Sequence, residues 1–243
     1  TLTAKGANRA RTFRLALADL RNGHAEVAEW LGKAKGKIVV GAMPLSRARW
    51  LPAAIVRHVE QFPAVDVVVL EGSHDELVGP LRDGEIDVML GALRQSGADD
   101  DLAQEVAFED HPKIVMRGTH PLAGKRTISA EDLNRFDWVL PTASTPLRRF
   151  WTSLYGDDID PPHVSIECGS VLTIREILLQ TDSLTLLSPD QVRVEIDAGL
   201  LRTAAPPRLV SRTIGITTRR GWHPTRQQRA FVETLRDLAI GYS

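Results

Sequence analysis

Five short stretches set hydroxyl-bearing or small residues beside turn-formers, and these are the residues best placed to hold a polar ligand. They are Met43-Pro44-Leu45-Ser46-Arg47, Gly72-Ser73-His74, Pro141-Thr142-Ala143-Ser144-Thr145, Cys168-Gly169-Ser170 and Ser188-Pro189. Each follows an apolar run and leads into a helical pattern. Open α/β sheets bind ligands beyond the carboxyl ends of their strands, where helix N-termini offer unpaired N–H groups to carboxylates and hydroxyls. Ser46, Ser73, His74, Thr142, Ser144, Thr145, Ser170 and Ser188 are therefore candidate ligand contacts, with Cys168 in the pocket lining. Arg47 and Arg148 add forked donors suited to an anionic group. Taken singly, each Ser or Thr reads as a helix N-cap, each Arg as a solvated surface residue, and Cys168 as a small buried filler. Met43 and Trp50 belong to the core or a pocket wall.

No catalytic constellation accompanies these turns. The chain has no Gly-x-Ser-x-Gly elbow, Walker loop, Gly-x-Gly-x-x-Gly, His-Glu-x-x-His or Cys-x-x-Cys. Its seven His are scattered without metal-ligand spacing, and Asp99-Asp100-Asp101 lacks the glycine and distal Glu of a calcium loop. The reading is of a binding protein, not an enzyme, with no cofactor and no metal. The single cysteine excludes an intramolecular disulfide and fits a reducing compartment.

The elements that must position these turns alternate along the chain from Lys37 onward. Ile38–Gly41, Val65–Leu70, Ile86–Leu90, Lys113–Met116, Trp138–Leu140, Val164–Cys168, Leu184–Leu187 and Ile214–Thr218 read as strands. Helices are expected from Ser46 to Phe62, from Ser73 with its capping-box Glu76, near Ser129, Ser144, Ser170 and Pro189, and from Thr225 to Ala239. Near-continuous apolar strands separated by helices predict a parallel sheet covered on both faces, in two α/β lobes of similar size.

Residues 8–35 differ. Ala10, Phe13, Leu17, Leu20, His24, Val27 and Leu31 recur at alternating spacings of three and four, a coiled-coil seam with charged flanks. Such a helix pairs with a partner helix or packs on its own domain. The first 37 residues hold eight Lys and Arg against three Asp and Glu, and the remainder 22 against 28. A basic segment on an acidic body points to a polyanion near the N-terminus, or to a solvated helix face. With 243 residues, 43% hydrophobic, core size is not limiting. No apolar run approaches the ~20 residues that cross a membrane, and Thr1-Leu2-Thr3 opens no secretory leader. A cytoplasmic protein is expected, in a piece that begins without Met.

In order along the chain, several stretches resemble the LysR-type transcription regulators. Leu2-Thr3-Ala4-Lys5-Gly6 resembles the LTxxG that follows that family's DNA-binding wing, and the seam helix resembles its linker helix. Leu51-Pro52, Phe62-Pro63, Leu81 to Leu90, His120-Pro121-Leu122-Ala123 and Gly199-Leu200-Leu201 resemble successive motifs of its sensor domain. Glu71 to Leu77 resembles the branch that regulates a galactose-binding protein. The resemblance implies a periplasmic-binding-protein type II fold with two Rossmann-like lobes joined by two crossovers, preceded by the linker helix. It divides the chain into 1–36, the end of the wing and the linker helix; 37–108 with 214–243, lobe I; and 109–213, lobe II. It further implies a small polar or anionic effector between the lobes, and homodimers or homotetramers paired through Phe13, Leu17, Leu20, His24, Val27 and Leu31. Promoter DNA is then bound only through a winged helix-turn-helix missing from the chain. A solute-binding protein of the same fold, serving transport, is the other reading.

Overall fold

The computed structural model describes residues 4–30, 36–94, 101–125, 128–143, 145–155 and 160–242. Its elements run α1 (Ala4–Trp30), β1 (Lys37–Ala42), α2 (Trp50–Gln61), β2 (Asp66–Glu71), α3 (His74–Arg82), β3 (Val88–Ala92), β4 (Leu102–Asp110), β5 (Lys113–Arg117), α4 (Ala130–Leu133), β6 (Val139–Leu140), α5 (Pro146–Ser153), β7 (Ile166–Glu167), α6 (Val171–Gln180), β8 (Thr185–Leu187), a 3-10 turn (Pro189–Val192), α7 (Arg193–Asp197), β9 (Leu201–Ala204), β10 (Arg212–Arg219) and α8 (Arg226–Ala239). They form two compact units, Thr1–Glu109 with Thr213–Ser243, and Asp110–Arg212.

The first unit is built on a sheet of order β2-β1-β3-β10-β4. Alternation along β1 and β3 sends Ile38, Val40, Val88 and Leu90 to one face, where they meet Trp50 and Leu51 of α2 and Phe231 and Leu235 of α8. Trp50 donates its indole N–H to the Leu235 carbonyl at 2.9 Å and packs edge-on against Phe108, ring centroids 5.2 Å apart. Met89 takes the opposite face with Leu77 and Leu81 of α3, and with Ile86 and Leu102. Helix α2 begins at Trp50, four residues later than Ser46, because residues 44–49 form turns instead. The Ser46 hydroxyl, fully buried, donates to the carbonyls of Met43 (2.8 Å) and Leu90 (3.2 Å), which holds that turn against β3.

The parallel sheet expected from the sequence is corrected to a mixed one. β1 runs parallel to β2 and β3, but β10 runs antiparallel to β3. β10 follows the second unit in the chain, so no crossover helix of the first unit turns it parallel. In the second unit β5 is antiparallel to both β8 and β9. β6 and β7 are parallel, and Trp138 bridges in parallel to Leu184, which sets β6 beside β8. The order β7-β6-β8-β5-β9 thus repeats that of the first unit. Ile114 and Met116 of β5 face Trp138, Trp151 and Leu186, while Val115 faces Ile174 and Leu178 of α6.

The motif His120-Pro121-Leu122-Ala123 has a local physical meaning. The imidazole accepts the Leu122 N–H at Nδ1 (3.0 Å) and lies 3.0 Å from the Asp182 carbonyl at Nε2, so the neutral ring satisfies both ends. Burial lowers its pKa.

Helix α1 has two working faces. Ala18 is buried over Gly84, which has a positive φ of 76° and, separately, no room for a side chain, since an added Cβ would stand 2.9 Å from that of Ala18. Arg14 on the same side pairs with Asp83. The seam residues Phe13, Leu17, Leu20 and Val27 lie on the other side, each between 57% and 69% exposed, with His24 exposed among them. Leu31 lies outside the described residues. No described helix is long and apolar enough to cross a membrane.

Candidate functional site

In the first unit the carboxyl ends of β1, β2 and β3 bring together Arg47, Ser73, His74 and three residues that sequence reasoning passed over: Glu71, Asp75 and Arg94. Ser73 caps α3 in a reciprocal box. Its hydroxyl accepts from the Glu76 N–H, and the Glu76 carboxylate accepts from the Ser73 N–H (2.7 Å) and hydroxyl (2.8 Å). Those bonds hold the Glu76 pKa below its usual value. His74 is largely covered, with Nδ1 3.2 Å from the Asp75 carboxylate, and Arg94 approaches the same carboxylate at 3.9 Å. Arg47 pairs with Glu71, the last residue of β2. Ser46 is not on this surface, since it is completely buried under Met43 and Leu90.

In the second unit the ends of β6 and β7 bring together Thr142, Thr145, Cys168 and Ser170. Thr145 caps α5: its oxygen accepts from the Arg148 N–H and its hydroxyl donates to the Thr142 carbonyl at 2.9 Å. Thr142 is exposed. Ser170 caps α6 by accepting from the Thr173 N–H at 3.3 Å. The Cys168 N–H extends the β6 pairing to Leu140, and its partly exposed thiol lies 3.7 Å from the Ser170 carbonyl. Ser188 is buried at the start of the 3-10 turn, with its N–H donated to the Gln191 side chain. Ser144 lies outside the described residues. Arg148 stacks over Trp151, 5.1 Å from the ring centroid, and stands 3.8 Å from Glu167, the last residue of β7.

Each edge thus offers helix N-termini, hydroxyls and cation–carboxylate pairs, which suits reversible binding of a polar molecule. Among the described residues no group of His, Cys, Asp and Glu has the arrangement of a metal site. The signal for the overlooked carboxylates was present in the sequence. Glu71 and Glu167 each end an apolar strand and stand just before a serine cap, as Glu71-Gly72-Ser73 and Glu167-Cys168-Gly169-Ser170.

Comparison with known proteins agrees with this geometry. The LysR substrate binding domain family matches residues 32–239. The HTH-type transcriptional regulator GalR of Pseudomonas putida is 33% identical over 213 residues, covering 86% of this chain and 53% of GalR. The chain spans about half the length of the curated relatives that it matches first. Among solved structures, HinK, a LysR family transcriptional regulator from Pseudomonas aeruginosa, superposes with a TM-score of 0.71 at 23% identity, over 100% of this chain and 83% of that one. The regulatory domain of CcmR from Synechocystis superposes with a TM-score of 0.73 at 17% identity, over 84% of this chain and 97% of that one. These likenesses give the fold as the two-lobed periplasmic-binding-protein type II architecture. Taken with the strand order repeated in both units and the capped helices at their strand ends, they place this chain in the family of LysR-type transcriptional regulators, as a carrier of its substrate-binding domain.

Proposed function

We propose that this chain is the sensing portion of a LysR-type regulator and binds a small polar effector at the strand ends of its two lobes, lobe I being residues 37–108 with 214–243 and lobe II residues 109–213. The observation that carries the reading is the substrate-binding-domain match over residues 32–239, combined with hydroxyl-capped helix N-termini at strand ends in both units. An effector with unequal affinity for two conformations of the chain shifts their populations. Helix α1 passes that shift to a winged helix-turn-helix expected on its N-terminal side, by pairing its exposed seam with a second copy in a homodimer or homotetramer. Promoter recognition belongs to that module, because the basic residues of α1 supply charge but no base readout. The working compartment is the cytoplasm. CcmR, solved in complex with 2-PG, is a precedent for a small effector in this fold. Transport is not favoured, because the curated relatives are transcriptional regulators.

Calorimetry on Thr142→Ala, Thr145→Ala and Ser170→Ala, with a ligand drawn from a thermal-shift screen, tests the site. Loss of one neutral contact is expected to weaken binding by about 0.5–1.5 kcal/mol. Loss of a cap is expected to cost about 1 kcal/mol of stability. Ser46→Ala is expected to lower stability and leave affinity unchanged, since its hydroxyl serves two backbone carbonyls. Full affinity in all three of the first set places the site elsewhere.

A further inference from the structure

We infer that the chain holds a second ligand site, for a zwitterionic amino acid, between helix α1 and the start of α8. Other residues form it than those of the strand-end site proposed above, and it does not rest on that site. Its basis is a cavity of about 420 Å³, lined by Asn22, Gly23 and Glu26 of α1 on one wall and by Trp222, His223 and Arg229 on the other. Both walls belong to the first unit. The size falls within the range of small-molecule pockets, roughly 300–1,000 Å³. Asn22 and Glu26 are four residues apart and so share a face of α1. Gly23 keeps that wall open, since a Cβ on it would meet nothing within 4 Å. A glycine inside a helix costs about 1 kcal/mol relative to alanine, and here its effect is to widen the cavity.

The two walls differ in charge. On the α8 side stands the Arg229 guanidinium beside His223, and α8 has no acidic residue in its first turn, so its N-terminal partial charge adds to that of Arg229. On the α1 side stand the Glu26 carboxylate and the Asn22 amide. Glu26 and Arg229 are both exposed, and among the described residues neither side chain is in an ion pair or a hydrogen bond. Their neighbours on the same two helices are paired, Arg14 with Asp83 and Arg236 with Glu105. An anion alone would face Glu26, and a cation alone would face Arg229. An amino acid answers both walls. Its carboxylate takes the forked donors of Arg229, its ammonium donates to the Glu26 carboxylate and the Asn22 carbonyl, and its side chain lies against the half-buried Trp222. Bound in this way it joins α1 to the first unit at a point beyond the Ala18–Gly84 contact and the Arg14–Asp83 pair.

The test screens the common amino acids against the chain by thermal shift at low ionic strength. Calorimetry then compares the tightest with two analogues of the same side chain, the acid that lacks its amino group and the amine that lacks its carboxylate. The amino acid is expected to bind at least about tenfold more tightly than either analogue. Arg229→Ala and Glu26→Gln, both changes at exposed side chains, are each expected to weaken it by about tenfold or more. Glu26→Gln is also expected to bring the amino acid level with the acid analogue, which a merely structural role for Glu26 would not do. Bound amino acid is expected to slow amide exchange in α1 around Asn22 and Glu26. Thr145→Ala and Ser170→Ala are expected to leave its affinity unchanged. Failure of every amino acid to bind overturns the inference. So does an amino acid indifferent to both Arg229→Ala and Glu26→Gln, and one lost in Thr145→Ala or Ser170→Ala occupies the strand ends instead.

Discussion

His58 is a fully buried imidazole on α2, held between Phe62 and Phe231 at ring-centroid distances of 4.8 and 5.2 Å. Among the described residues neither ring nitrogen has a hydrogen-bond partner, and burial depresses its pKa. The unfolded chain takes up this proton near pH ~6.5 while the folded chain resists it. The contribution to stability is therefore intact above that pH and is lost as pH falls from there toward the depressed folded value. His120 acts in the same direction, since its protonation would end the bond from the Leu122 N–H. His58→Leu is expected to flatten this decline and to stabilise the chain at neutral pH by about 1 kcal/mol, by removing unsatisfied nitrogens. Urea unfolding on both sides of pH ~6.5 checks it, and an unchanged slope in the variant counts against it. At this scale the sequence showed where hydroxyls stand but not whether they are free. Thr145 and Ser170 do cap their helices, as a Ser or Thr before a helical pattern suggests. Ser46 is withdrawn by the carbonyl of Leu90, 44 residues away, which no local pattern reveals.

Among the elements, the seam of α1 was the most legible, because its period of three and four survives any packing of the rest. Its exposed apolar stripe faces away from the unit on which Ala18 rests. Leu17→Asp is accordingly expected to raise the dissociation constant of the assembly about tenfold or more, with the thermal unfolding of both units unchanged. Light scattering across a dilution series reads the first effect, and a parent that is already monomeric at micromolar concentration removes the pairing reading. The long apolar strands and the capped helices were equally visible. β4 and β9 were not. β4 is exposed over Ala103–Val106, so its sequence carries few of the apolar residues that mark a strand, and β9 has four residues, too few to show a period. Strand direction was misread for a related reason. Apolar content reports burial on both faces, and β5 and β10, which run against their neighbours, are buried about as deeply as the parallel β1 and β3.

For the molecule as a whole, the sequence carried the architecture through the order of its motifs more than through any one of them, and the two units follow that order. Their wiring has a consequence for synthesis. The second unit is one uninterrupted segment, Asp110–Arg212, whereas the first is completed only by Thr213–Ser243. β10 lies between β3 and β4, so β4 has no neighbour in its sheet until Arg212–Arg219 has been made. A ribosome therefore releases the second unit able to close on itself while the first, begun earlier, still waits with a strand unpaired, the reverse of the usual N-terminal-first order. In a chain ended after Arg212, the amides of β4 are expected to exchange as in an unfolded peptide while those of β5 and β8 stay protected. Protection of β4 in that chain would show that the sheet closes without its central late strand. During translation, the half of the molecule that rests against α1 is the one that most needs shielding from other nascent chains.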